Sequence, residues 1–190
     1  MGELSTGHKA WVLFFLFGIG IGILFFLIGN NLDFTFKTLP NVAAGSPAPD
    51  FSLPDLDGNA VRLSDYKGKL VLLNIWATWC RPCVDEMPSI EKLYNTFKNN
   101  DFQVLAASVD TRGKKAVGPF MTFHNLSFKA LLDTEGTLKK AYRTTGIPES
   151  FIIDKNGVII EKIIGSIDWS SPGMIQYFKE QLEKPNIPKG

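Results

Sequence analysis

A seven-residue run, Leu70-Val71-Leu72-Leu73-Asn74-Ile75-Trp76, contains one polar residue and ends four positions before Cys80. Continuous apolar runs of this length suit a strand buried on both faces, the situation of a parallel sheet covered by helices. Beyond the cysteines, Val84, Met87, Ile90, Leu93, Tyr94 and Phe97 recur at helical spacing as far as Asn99-Asn100. Pro88 falls inside that helix and is expected to bend it, because proline lacks an amide donor and crowds the preceding turn. The phrase Cys80-Arg81-Pro82-Cys83 therefore sits where a buried strand becomes a helix, with Cys80 at or beside the first helical position and Cys83 one turn in.

The rest of the chain repeats the alternation. Phe51-Ser52-Leu53 and Val61-Arg62-Leu63 flank Asp55-Leu56-Asp57-Gly58 and predict a short strand pair around an Asp-Gly turn. Strands are expected at Phe102–Val109, Lys129–Leu132 and Glu149–Asp154, and helices at Lys114–His124 and Thr137–Tyr142. Asn156-Gly157 turns the chain into an antiparallel strand, Val158–Ile164, before a last helix over Pro172–Leu182. Strand, helix, strand, helix, hairpin, helix predicts an α/β fold: a mixed central sheet flanked by helices, with the short strand pair as an N-terminal extension.

Ahead of this domain, no charged residue occurs from Ala10 to Leu32, and Trp11–Ile28 is almost wholly apolar or glycine. At about 1.5 Å per residue such a helix covers the roughly 30 Å hydrocarbon core of a bilayer. A cleaved secretory signal is the alternative, but the nearest small-residue triplet, Val42-Ala43-Ala44, lies well past the apolar run, which favours a retained anchor. Lys9 before the span favours a cytoplasmic N-terminus. Gly18 and Gly22 form a G-x-x-x-G pair, although glycine is common in membrane spans anyway. The expected organisation is a cytoplasmic stub at 1–9, a transmembrane signal anchor at 10–29 in contact with the bilayer, a Pro/Gly/Asn-punctuated tether at 30–49 and a catalytic domain at 50–190.

Only two cysteines occur in 190 residues, too few for a disulfide-stapled scaffold and too few for the four ligands of a structural zinc site. A paired redox function remains, and neither metal nor cofactor is implied. Unsatisfied amides and the dipole at a helix N-terminus favour a thiolate, so Cys80 reads as the nucleophile and Cys83 as the resolving thiol. Arg81 adds positive charge beside them, and Pro82 stiffens the backbone between them. Trp79 and Trp76 flank the pair, Trp79 as a contact surface for substrate and Trp76 as core. With 20 basic and 19 acidic residues, interspersed, the chain has no basic field for nucleic acid.

Four segments, Gly45–Gly58 (GSPAPDFSLPDLDG), Val71–Trp76 (VLLNIW), Trp76–Cys83 (WATWCRPC) and Gly146–Asp154 (GIPESFIID), resemble in this order the membrane-anchored thioredoxin-like reductases of the TlpA, ResA and CcmG kind. The resemblance implies a thioredoxin-like fold, a single-pass protein of the cytoplasmic membrane with its domain on the periplasmic or outer side, and reduction of disulfide-containing proteins, often in cytochrome c maturation. It implies a membrane electron donor of the CcdA or DsbD kind. It also places Pro148 at the family's cis-proline, which would leave the backbone of Ile147 available to an extended substrate. Glu86 matches a functional acid of the ResA group, three residues beyond Cys83 on the same helix face. Asn74 stands where cytoplasmic thioredoxins carry a buried Asp, and since Asn cannot carry a proton the acid-base work shifts to Glu86.

Three other functions compete. A peroxiredoxin needs Pro and Thr seven and three residues before its cysteine, where Leu73 and Ala77 precede Cys80, and Trp76 and Cys80 precede Cys83. A copper chaperone on this fold resembles CxxxC with a distant His, whereas this chain has CxxC, and His124 lies in a predicted helix. A tethered holdase for thiol proteins would bind without turnover.

Overall fold

A computed structural model describes residues 42–185, together with the single residue Ile19. The expected stub, the anchor at 10–29 and most of the tether lie outside the described residues; among those described, no helix is long and apolar enough to cross a membrane.

Five strands form the main sheet in the order β5-β4-β3-β6-β7: β3 (Leu70–Trp76), β4 (Phe102–Ser108), β5 (Lys129–Leu132), β6 (Glu149–Ile153) and β7 (Ile159–Ile164). β3 pairs parallel with β4, and β4 with β5, while β6 runs antiparallel to both β3 and β7. The apolar run is thus the central strand, and all seven of its residues are buried. Its side chains alternate between two cores. Leu70, Leu72 and Trp76 pack with Met87, Ile90 and Leu93 of α1 (Arg81–Phe97), Val117 and Met121 of α2 (Lys114–Phe123) and Phe178 of α4 (Pro172–Glu183). Val71, Leu73 and Ile75 pack with Leu138 of α3 (Thr137–Ala141), Tyr142 and the N-terminal hairpin. Asn74 shares the parity of Leu72 and Trp76 and so faces α1.

The hairpin is β1 (Ser52–Pro54) against β2 (Ala60–Arg62), followed by a short 3-10 turn, Leu63–Tyr66. Asp55 closes it by accepting from the amides of Asp57 and Asn59, both at 2.9 Å. These bonds hold the Asp55 carboxyl below the usual range against the opposing effect of burial, which is the larger single influence in the other direction. Element positions agree with the sequence pattern to within a residue or two, and α1 continues through Pro88.

The ordered backbone reaches further toward the N-terminus than the boundary expected near Asp50. Val42 is buried, the Gly45 amide donates to Ile159 O at 2.8 Å, the Ile159 amide donates to Ser46 O at 2.9 Å, and Pro47 bridges Val158. The open edge of β7 supplies the unpaired backbone groups that make this pairing favourable. The chain enters the sheet beside Ile153 and Ile159, at the end opposite Ile75, Glu149 and Ile164.

Candidate active site

β3 ends at Trp76, whose carbonyl accepts from the Val109 amide at 2.9 Å, and the chain turns through Ala77-Thr78-Trp79 into α1. Cys80 is the N-cap, extended at φ −86° and ψ 103°, and its sulfur accepts from the Cys83 amide at 3.3 Å. The sulfur thus satisfies one of the helix's free amides, the role usually taken by a capping oxygen. Pro82 fits the first turn, where its missing N–H removes no helical bond. The two cysteines form a disulfide with an S–S distance of 2.09 Å. Cys83 is fully buried and Cys80 retains 6% exposure, so an incoming sulfur meets Cys80 first.

The turn before Cys80 is clamped by a residue that sequence reasoning missed. Asp110, 4% exposed just beyond β4, accepts from the Thr78 amide at 2.8 Å, the Thr78 hydroxyl at 2.7 Å and the Ser108 hydroxyl at 2.7 Å. On the other side, the Ile147-Pro148 peptide bond is cis and brings the Ile147 carbonyl oxygen to 3.6 Å from Cys80 Sγ. The Pro148 carbonyl is held by the Gly165 amide at 2.9 Å, which ties this loop to the end of β7.

Glu86 lies one turn beyond Cys83 on the buried face of α1 and is only 2% exposed. Asn74 Nδ2 donates to its Oε1 at 2.9 Å, and the indole Nε1 of Trp169 donates to its Oε2 at 3.1 Å. Asn74 Nδ2 also donates to Ser150 Oγ at 2.9 Å, while Asn74 Oδ1 is buried without a partner. Burial pushes the Glu86 carboxyl above its ordinary value, against the lowering influence of Trp169, Asn74 and the Ile167 backbone. Desolvation penalises the ionised form, and the donors recover part of the loss.

This arrangement carries a pH signature in stability. With the folded value raised above the ordinary 4.5, the native state keeps a proton that the unfolded chain has released, so stability falls as pH rises through the interval above 4.5. Glu86→Gln removes that slope: the variant should match the parent chain below about pH 4.5 and exceed it in stability at neutral pH. Its new amide can donate to the free Asn74 Oδ1 once the Asn74 side chain turns over. Urea midpoints at pH 4 and pH 7 measure the difference.

The other residues read from the sequence divide. Trp79 is 70% exposed beside the disulfide, and Trp76 is completely buried, its ring 4.9 Å from that of Phe120. Arg81 occupies the first helical position, but its guanidinium is 85% exposed and pairs with Asp85 at 3.0 Å, so much of its charge is met in solvent rather than at the sulfurs. His124 stacks on Phe120 with ring centroids 4.3 Å apart at the end of α2. Trp169 was not singled out in the sequence: it lies in a loop, 83 residues from the carboxylate it contacts.

A family model described as the AhpC/TSA family matches residues 44–162. The thiol-disulfide oxidoreductase ResA of Geobacillus kaustophilus is 43% identical over 134 residues, covering 70% of this chain and 75% of that protein. ResA of Bacillus cereus is 34% identical over 167 residues, covering 85% and 90%. Among solved structures, the thioredoxin domain of a thiol-disulfide oxidoreductase from Bacteroides vulgatus superimposes with a TM-score of 0.66 at 27% identity, covering 75% of this chain and all of that one. The order of strands, the cysteine pair at the head of α1 and these likenesses agree: the chain belongs to the AhpC/TSA family, has the thioredoxin-like fold, and is a thiol-disulfide oxidoreductase of the ResA type.

Proposed function

We propose that the chain reduces disulfides in proteins outside the cytoplasm, with Cys80 attacking, Cys83 resolving and Glu86 accepting the resolving thiol's proton. The observation that carries this reading is the buried Glu86 carboxylate one turn from the fully buried Cys83. A thiol enclosed in this way is closed to bulk solvent, and a carboxylate with an elevated affinity for protons is suited to take its proton. The Cys80 thiolate attacks one sulfur of the target disulfide, forming a mixed disulfide and expelling the other target sulfur as a thiolate, which takes a proton from solvent. Cys83 then loses its proton to Glu86 and attacks Cys80 Sγ. The Cys80–Cys83 bond forms, the second target thiol leaves, and two electrons have passed to the target.

Residues 10–29 would hold the domain at the outer or periplasmic face of the cytoplasmic membrane, where a dithiol donor of the CcdA or DsbD kind restores the reduced state. Apocytochrome c, which must present reduced thiols for haem attachment, is the target class we favour. Leu73 and Ala77 leave Cys80 without the Pro and Thr of a peroxide pocket, which speaks against peroxide reduction. The reduction potential of the Cys80–Cys83 couple, measured in the full chain against dithiothreitol buffers, tests the direction of electron flow. A value near that of thioredoxin, about −270 mV, is expected; one near that of DsbA, about −120 mV, would make the protein an oxidant.

A further inference from the structure

Trp169 is secured from three directions. Its amide donates to Ser89 Oγ at 3.1 Å, its ring lies 6.3 Å from that of Phe178 on α4, and its indole N–H reaches Glu86 Oε2. Ser89 in turn donates to the Glu86 backbone carbonyl at 2.7 Å, so the 166–170 loop grips α1 at the acid and again beside it. An indole N–H can only donate, and Trp169 is completely buried, so this contact is stronger to the ionised carboxylate than to the carbonyl oxygen of the protonated acid, and it favours the charged form. Asn74 differs. Its Nδ2 serves the ionised acid, whereas its buried, unpartnered Oδ1 would accept from a protonated one after rotation of the amide.

We infer that Trp169 is a positioning residue that holds Glu86 on the α1 face one turn below Cys83 and biases it toward the charged, proton-accepting state, with Asn74 as a reversible partner that serves both protonation states. The inference rests on the proposed role of Glu86 as acceptor of the Cys83 proton. Few other ionisable groups address this carboxylate. On α1 and its N-cap there are the two cysteines, Asp85, exposed and paired with Arg81, Glu91, which accepts from Ser127, and Lys92, which lies near Asp168; on the 166–170 segment there is Asp168, exposed and bonded to Ser170. β3 contributes only Asn74. On β6, Glu149 alternates in facing with Ser150 and pairs with Lys162 of β7, away from Asn74. On α4, the phenol of Tyr177 is pushed up to about 12 by burial and the nearby Glu161, and so stays neutral.

The test uses the full-length reduced chain in detergent solution. The Trp169 indole N–H resonance, assigned by its loss in Trp169→Phe, should shift with pH, and its midpoint should match that of the rate of mixed-disulfide resolution. The shift should vanish in Glu86→Gln. Trp169→Phe keeps an aromatic ring but removes the donor, and should raise the midpoint of the resolution rate by about one pH unit, as expected for loss of one hydrogen bond to a charged group. In the Glu86→Gln background the same substitution should move nothing. An indole resonance that does not titrate, or a Trp169→Phe profile with its midpoint unmoved, overturns the role of Trp169. If Glu86→Gln itself resolves with the parental pH profile, the acid assignment fails instead, a separate and recognisable result.

Discussion

Cys80→Ser should lower the rate of disulfide exchange by about a thousandfold or more with the fold intact, whereas Cys83→Ala should retain the attack and stall as covalent complexes with its targets. The asymmetry follows from where the two sulfurs sit. Cys80, at the helix N-cap, receives an amide hydrogen bond from Cys83 and the field of the helix terminus, both of which favour a thiolate there, and it is the sulfur with residual exposure. Serine can cap the helix equally well, so the loss should be one of chemistry and not of stability. Cys83 has no exposure, so an alanine in its place leaves the first step open and removes the second. Non-reducing gels after mixing with an unfolded disulfide protein should show mixed disulfides for Cys83→Ala and none for Cys80→Ser. A holdase without redox turnover would bind equally well in both variants and trap nothing.

Asp110→Ala should destabilise the domain by about 3 kcal/mol, which for a chain of this size is a fall in Tm of about 6–12 °C. The carboxylate collects three donors in a nearly closed site, and its removal leaves the Thr78 amide and the Thr78 and Ser108 hydroxyls competing for whatever water can enter. Asp110→Asn keeps the shape and one acceptor oxygen, and should lose about a third as much. Differential scanning calorimetry of the two variants separates these values. If the alanine variant melts with the parent chain, the clamp contributes nothing to stability and the Thr78 turn is held by its neighbours alone.

The frame of this protein was legible because its periodicities are strong. The run from Leu70 to Trp76 leads straight to two cysteines and a helix, and the structure has that sequence of elements. Glu86 came from the resemblance together with its spacing from Cys83, since a helix glutamate is by itself most simply a solvated charge; its burial beside Met87 and Ile90 is visible only in the structure. The cis bond before Pro148 came only from resemblance, since local sequence does not distinguish it from an ordinary X-Pro bond. Trp169 and Asp110 were hidden because their meaning lies in partners 83 and 32 residues away. Neither has a local pattern; both become evident once β3, α1 and β4 converge. Arg81 illustrates the opposite failing, for its position was plain while the turn of its side chain toward Asp85 was not.

The backbone pairing of Gly45 and Ser46 with Ile159 lies at one end of the sheet and the disulfide beyond the other, a strand length of about 20 Å apart. Peeling the Gly45–Pro47 segment off the edge of β7 would therefore loosen the sheet at the end remote from the chemistry, leaving the contacts around the sulfurs in place.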